Sequence, residues 1–95
     1  MKKTIKFTSS HIETLPNNRP GVYVMGNARD PNLYTGSAKA TRVQARLKEH
    51  GSGGSDPIPG VTKVTVHYQP SIAKAQKVEQ AIIAREKPKH NKTGK

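Results

Sequence analysis

The chain has 95 residues, which suits one domain with a small core and excludes two. It contains no cysteine, so disulfides, thiolate metal sites and a thiol nucleophile are excluded. Seventeen Lys and Arg residues against six Asp and Glu residues give a formal net charge of +11, which makes nucleic acid the leading candidate partner.

The N-terminal segment is basic but contains no apolar run of signal-peptide length. No stretch of the sequence approaches the roughly 20 apolar residues that span a membrane. Neither of the two helices predicted below carries the bulky aromatic and leucine face of an interfacial helix. We therefore expect a soluble, cytoplasmic protein with no membrane partner.

The first part of the chain predicts a β-hairpin. Residues 4–8 alternate weakly and predict only a short strand, and residues 11–20 predict a loop because prolines and asparagines interrupt them. Residues 22–25 are mostly β-branched and aromatic, which predicts a strand. A turn over residues 26–32 and a second strand over residues 33–35 complete the hairpin.

The next part predicts a helix, a loop and a third strand. Thr41 followed by Gln44 forms a capping-box pattern, which predicts that a helix begins there and runs to about His50. Residues 51–60 are rich in Gly, Ser and Pro and predict a flexible loop. Residues 61–69 alternate imperfectly and predict the third strand.

A second helix follows. Ser71 predicts its N-cap, and it runs to about Glu86 because Pro88 cannot continue it. The order strand-strand-helix-strand-helix predicts an α/β (α+β) domain with a small, three-stranded, mainly antiparallel sheet flanked by helices. We expect this one domain to cover residues 1–95 and to end in a basic tail at residues 92–95.

Glu79 lies on the apolar side of the second predicted helix, where a carboxylate is unusual without a partner. The apolar residues of that side are Ile72, Ala75, Val78, Ile82 and Ile83. One interpretation is that the edge of this side is wetter than the pattern suggests, or that Glu79 pairs with an arginine. The other is that Glu79 is a metal ligand, because one carboxylate with waters and substrate phosphate usually holds Mg²⁺.

The first predicted helix places Arg46 and His50 at the edge of an apolar side marked by Val43 and Leu47, with Arg42 nearer to solvent. A purely structural interpretation is a histidine that interacts with the helix dipole and an arginine whose stem covers the core edge. Ordinary packing within a hairpin would likewise explain Tyr23 and Tyr34, which are good strand residues.

Taken together and in order, these segments resemble the GIY-YIG nuclease family over about residues 20–91. The segments that carry the resemblance are Gly21-Val22-Tyr23, Tyr34-Thr35-Gly36-Ser37-Ala38-Lys39, Arg46-Leu47-Lys48-Glu49-His50, Val78-Glu79-Gln80-Ala81-Ile82-Ile83 and Pro88-Lys89-His90-Asn91. The second of them is similar to the motif of phage-type homing endonucleases in that family. The resemblance implies a three-stranded antiparallel sheet with flanking helices and metal-dependent cleavage of a DNA phosphodiester.

The resemblance also implies catalytic roles. Glu79 would hold one Mg²⁺ or Mn²⁺ ion per active site. Tyr23 would act as general base on the attacking water, which requires nearby cationic charge because a phenol has a pKa of about 10. Arg46 would neutralise charge on the phosphate in the transition state, and Tyr34 and His50 would hydrogen-bond water or phosphate and help to pass protons.

Four further residues are expected to bind substrate by the same resemblance. Gly36 and Lys39 belong to the second motif, with Lys39 placed to contact backbone phosphate, and Asn91 would orient Tyr23 or Glu79. Arg42 competes with Arg46 for the catalytic role, and we favour Arg46 for its spacing to His50.

The expected partner is therefore DNA, with no small-molecule cofactor and with the chain a monomer or weak dimer. Two alternatives remain: a non-catalytic nucleic-acid-binding module on the same scaffold, and a small RNA-binding or ribosome-associated protein.

Overall fold

Four antiparallel strands form a sheet in the order β1-β4-β2-β3 in the computed structural model, which describes residues 2–51, 54 and 57–91. The strands are β1 (Lys2–Lys6), β2 (Gly21–Gly26), β3 (Tyr34–Ala38) and β4 (Lys63–Tyr68). The helices are α1 (Ser9–Ile12), α2 (Val43–Glu49) and α3 (Ile72–Glu86), and a 3₁₀ turn over Lys89–Asn91 follows α3.

The central strand β2 is apolar on both sides because both sides are covered. Tyr23 and Met25 face a core cluster that includes Leu47 of α2. Val22 faces the other way and packs with Ala75 of α3. Burying a large apolar side chain contributes about 1.5–3 kcal/mol, so these two clusters hold helices on opposite sides of the sheet.

The predicted three-stranded sheet is wrong, because β1 adds a fourth strand at the edge next to β4. The observed order is therefore β-α-β-β-α-β-α rather than β-β-α-β-α. Ile5 is the one residue of β1 that is not exposed, so this strand has almost no apolar pattern to detect. Backbone pairing with β4, which joins residues about sixty positions apart, creates the strand.

The predicted start of α2 is also wrong. Thr41 adopts a left-handed conformation with φ 70°, and the helix begins after Arg42, which has no side-chain cap. The acceptor comes from a distant loop: the amide N–H of Gln44 donates to Asn17 Oδ1 at 3.1 Å. The predicted loop over residues 11–20 is partly wrong too, because α1 ends at Ile12 within it.

The second predicted helix is confirmed. Ser71 is the N-cap of α3 and its hydroxyl accepts from the amide N–H of Lys74. The helix ends at Glu86, and Lys87 follows in a left-handed conformation before Pro88.

Within the described residues, no helix combines the length and the apolar composition needed to cross a bilayer. The predicted basic tail at residues 92–95 lies outside the described residues, as do residues 52–53 and 55–56 of the predicted loop.

Candidate active site

Two tyrosines and a histidine form a cluster of rings between the sheet and α2. Tyr23 Oη lies 3.1 Å from His50 Nε2, within hydrogen-bond distance. The ring centroid of Tyr34 lies 6.3 Å from that of Tyr23 and 4.9 Å from that of His50. Tyr23 and His50 are fully buried, and Tyr34 is half-buried. The hairpin thus brings the two motif tyrosines together, and the end of α2 adds the histidine.

Gly36 stands opposite Tyr23 in the pairing of β2 with β3. The Tyr23 ring lies across it, so a Cβ at position 36 would come within 2.5 Å of Tyr23 Oη and 2.6 Å of the carbon that bears this hydroxyl. Such distances are far below van der Waals contact. A glycine is therefore required here for the tyrosine to take its place, while the predicted contact of Gly36 with substrate stays a prediction.

Arg46 is the half-buried cation nearest to this cluster. Its guanidinium interacts with Tyr23, which raises the pKa of Arg46 above its ordinary value. Arg46 Nη1 also donates to Glu49 Oε1 at 2.8 Å. Arg42, whose side chain is 53% exposed, forms an ion pair with Glu49 at 3.5 Å and has no other ion pair with a described residue. Of the two candidate arginines, the structure brings Arg46 to Tyr23.

The Tyr23 hydroxyl is protonated at neutral pH. Burial is the main cause that raises its pKa above the ordinary value, and Tyr34 and Glu79 raise it further. Arg46 opposes the shift through its charge and a hydrogen bond but does not cancel it. Tyr23 thus lies close enough to both Arg46 and Glu79 for each of them to act on it electrostatically.

Glu79 projects from α3 towards β3, where Ser37 Oγ donates to Glu79 Oε1 at 2.7 Å. Glu79 is half-buried rather than fully buried. Its hydrogen-bond partner is Ser37, and no ion pair among the described residues joins it to an arginine. Residues 35 and 37 of β3 point to the side of α3, whereas Tyr34 and Gly36 point to the side of α2, so the two halves of the site meet at β3.

A groove of about 400 Å³ opens beside these residues. It is lined by Ser37, Ala38, Lys39, Arg42, Arg46 and Gln76. Three cationic side chains thus border a groove next to Glu79's hydrogen-bond partner, which is a suitable environment for a phosphate group.

The surroundings of Glu79 fit a cation that is held by one protein carboxylate better than a cation that is bound by several protein ligands. The described part of the chain contains no group of three or more His, Asp or Glu side chains that could hold a metal. Mg²⁺, however, is commonly bound through one or two carboxylates, waters and substrate phosphate. The Glu79 carboxylate beside a cationic groove is compatible with that mode.

Asn91 is bound to the backbone of β3. Its Nδ2 donates to the Thr35 carbonyl at 2.9 Å, and its Oδ1 accepts from the Thr35 N–H at 2.7 Å. On the other side of the same strand, Thr35 Oγ1 donates to Asn32, whose amide donates to Glu86 at the end of α3. The structure thus gives Asn91 partners on the strand rather than Tyr23 or Glu79.

Sequence reasoning missed Ser37, Asn32 and Thr35, which connect α3 to β3. The alternation of β3 was the available signal, since it places residues 35 and 37 on the side opposite Tyr34. Lys39 is exposed at the rim of the groove, and its predicted contact with backbone phosphate stays a prediction.

One comparison with known proteins gives a match. A family model described as the GIY-YIG catalytic domain matches residues 19–93. No curated protein and no solved structure matches the chain.

Proposed function

Because the chain belongs to the GIY-YIG family, a family of nuclease-type domains, we propose that it is a metal-dependent endonuclease that hydrolyses DNA phosphodiester bonds. The observation that supports this most strongly is the convergence of Tyr23 of β2, Arg46 and His50 of α2 and its C-cap, and Glu79 of α3 beside a cationic groove that Arg46 and Ser37 line. The family as a whole typically cuts DNA with a divalent metal, and the proposal extends this to the present residues.

The groove would bind the phosphate to be cut. Arg46 is the cation closest to Tyr23, so it would neutralise charge that develops on the phosphate, which commonly contributes two to three orders of magnitude in rate for a single donor. Arg42 and Lys39, both exposed, would hold neighbouring phosphates. Glu49 pairs with both arginines, so an incoming phosphate would compete with it for them.

Tyr23 would take the proton of the attacking water. Its raised pKa makes a free phenolate scarce at neutral pH, but His50 Nε2 lies 3.1 Å from the hydroxyl. We propose that the Tyr23 hydroxyl donates its proton to His50 as it accepts one from water, so that no phenolate needs to accumulate. Since Tyr23 has no exposed surface, a covering side chain must move first, and half-exposed Arg46 is the neighbour that a phosphate would attract.

Glu79 would hold the single cation, with Ser37 fixing the carboxylate. When bound there, Mg²⁺ or Mn²⁺ would polarise the phosphate and stabilise the leaving oxygen. The remaining chemistry belongs to the side chains: Arg46 would bind phosphate, Tyr23 and His50 would move the proton, and Tyr34 packs against the rings of both.

The test is cleavage of plasmid, branched and single-stranded DNA with Mg²⁺, with Mn²⁺ and with chelator. Glu79→Gln keeps a hydrogen-bond acceptor for Ser37 but removes the charge, and we expect it to abolish cleavage. Arg46→Gln should lower the rate roughly a hundredfold and Arg42→Gln less than about tenfold, because only Arg46 contacts Tyr23.

Glu13→Gln is the matched control, since Glu13 is an exposed glutamate that pairs with Lys48 outside the groove. Tight DNA binding without cleavage on all substrates and with both metals would replace this proposal by the non-catalytic binding module. A larger loss at Arg42 than at Arg46 would transfer the catalytic role to Arg42.

A further inference from the structure

In the part of the chain that the structure describes, no helix packs against one side of β1 and β4. Along β4 the burial alternates: Val64, Val66 and Tyr68 are buried, whereas Lys63 is exposed and Thr65 and His67 are half-buried. On the side of these polar residues, α3 packs against β2 and β3. The outer half of the sheet therefore presents side chains of β1 and β4 to solvent on the same side as α3.

This surface carries lysines at both of its ends. Its cross-strand pairs are Lys2 with His67, Thr4 with Thr65, and Lys6 with Lys63. The two threonine hydroxyls lie 3.0 Å apart, which places both on this side of the sheet. Neither strand contains an acidic residue, and none of the three lysines forms an ion pair with any described residue. We call Lys2, Lys6, Lys63 and His67 the lysine face.

We propose that the lysine face is a second surface for the backbone of duplex DNA, separate from the groove beside Tyr23. Lys2 and Lys6 are four residues apart on one strand, about 13 Å at the usual rise, close to the roughly 12 Å width of a major groove. The two ends of the lysine face are thus spaced to reach the two phosphate backbones that border this groove. Burial and then the charge of Lys2 lower the pKa of His67, so at neutral pH the positive charge of the lysine face comes from its three lysines.

Protection of a sheet edge does not account for the lysine face. Charged residues on an edge strand prevent pairing with other chains, and Lys2 and Lys6 of β1 fit that purpose. Lys63 and His67, however, lie on the inner strand β4, which is already paired on both sides. The charge of Lys63 and the imidazole of His67 therefore face outward from the surface of the sheet and not along its edge.

The composition of the lysine face favours duplex DNA over other polyanions. It carries no Phe, Tyr or Trp side chain on which the bases of a single strand would stack, and the ring of His67 is half-buried. It also carries no apolar side chain that would enter a membrane, since the residues between its two ends are Thr4 and Thr65. Lysines without acidic neighbours match a surface of phosphates and need no base-specific contact.

The inference uses the proposed function only to identify DNA as the polyanion, and binding can be measured without cleavage. The experiment is the affinity of the full chain for a 30-base-pair duplex in chelator at several KCl concentrations, with the triple variant Lys2→Gln, Lys6→Gln and Lys63→Gln. Loss of three phosphate contacts should reduce the slope of log affinity against log salt by about 3 and raise Kd roughly tenfold or more.

The matched control removes the same charge elsewhere, by Arg29→Gln, Lys48→Gln and Lys77→Gln at three exposed positions. We expect the control to change the slope by less than about 1. The inference would be overturned if both triple variants lost the same duplex affinity, or if the lysine-face variant lost none. It would also be overturned if the lysine-face variant lost affinity for phosphatidylserine vesicles while its affinity for the duplex stayed unchanged. If the parent chain cleaves DNA but the lysine-face variant binds the duplex as tightly as the parent, the proposed function holds and this inference fails. If the parent chain never cleaves DNA but the lysine-face variant binds the duplex more weakly, this inference holds and the proposed function fails.

Discussion

Tyr23 and Gly36 define the site at the scale of single residues. Their pairing across β2 and β3 lets the tyrosine ring lie flat over the glycine, with its hydroxyl directed to His50. A tyrosine that is buried this fully keeps its proton, so in the proposed mechanism it acts as a base only together with the neighbouring histidine. The proposed proton path therefore depends on Gly36 as well as on Tyr23 and His50.

Replacing Gly36 by alanine tests this dependence. The new methyl group would overlap the Tyr23 ring, which cannot shift freely in a packed core, so we expect a loss of about 1–3 kcal/mol in the free energy of unfolding. We also expect nuclease activity to fall well beyond the fraction unfolded, because the Tyr23 hydroxyl moves away from His50. Denaturant unfolding and cleavage rates measure the two effects.

Gly51→Ala is the appropriate comparison, because a Cβ there would meet the Lys48 carbonyl at an ordinary 3.4 Å. Gly51→Ala should leave both quantities nearly unchanged. If Gly36→Ala behaved in the same way, the close approach of the Tyr23 ring would not be a constraint on the active protein.

At the scale of elements, α2 and α3 are positioned by polar side chains outside them. The start of α2 is held by Asn17, whose Nδ2 donates to the Thr41 carbonyl at 3.1 Å while its Oδ1 accepts from Gln44. This matters for function because α2 carries Arg46 and is followed directly by His50. At the far end of the site, Ser37 and Asn32 fasten α3 to β3.

Removing the side chain of Asn17 should loosen α2 selectively. Asn17→Ala takes away the only side-chain acceptor that the described residues give to the Gln44 amide, and loss of such a cap costs about 0.5–2 kcal/mol. We expect faster hydrogen exchange at Gln44 and a lower free energy of unfolding. Neighbouring Asn18 is exposed, so Asn18→Ala should stay within about 0.5 kcal/mol of the parent chain. Equal effects of the two substitutions would refute the capping role.

At the scale of the whole molecule, the buried tyrosine makes folding stability depend on alkaline pH. The folded pKa of Tyr23 is raised, mainly by burial, above the ordinary value of about 10 that it has in the unfolded chain. The contribution of Tyr23 to the free energy of unfolding is therefore fully present below about pH 10, where the folded and the unfolded chain both hold the proton. Above that pH the unfolded chain releases the proton first, and stability is lost until the folded pKa is reached.

We accordingly expect the free energy of unfolding to carry a Tyr23 component that decreases by up to about 1.4 kcal/mol per pH unit above pH 10. The measurement is the difference in unfolding free energy between the parent chain and Tyr23→Phe, which cancels the titration of the many lysines. This difference should stay constant from pH 7 to 9 and shrink from pH 10 to 11. A constant difference throughout would show that the hydroxyl is not buried in the folded protein.

The sequence alone determined the elements whose patterns are local. The hairpin strands, the helix from Ser71 to Glu86 and the basic character of the chain follow from β-branched runs, a cap and a count of charges. Motif order also identified the family, which the match over residues 19–93 confirms. The set of site residues came from the same motifs, and their roles remain predictions.

Only the tertiary structure decided what depends on partners distant in the chain. β1 has almost no apolar pattern and exists as a strand because β4 pairs with it. Asn17 caps a helix that begins more than twenty residues later, and Ser37 meets Glu79 across two elements. Secondary-structure propensity and hydrophobic periodicity depend on residues a few positions apart in the chain. These hydrogen bonds, by contrast, form only once the sheet has brought distant segments together.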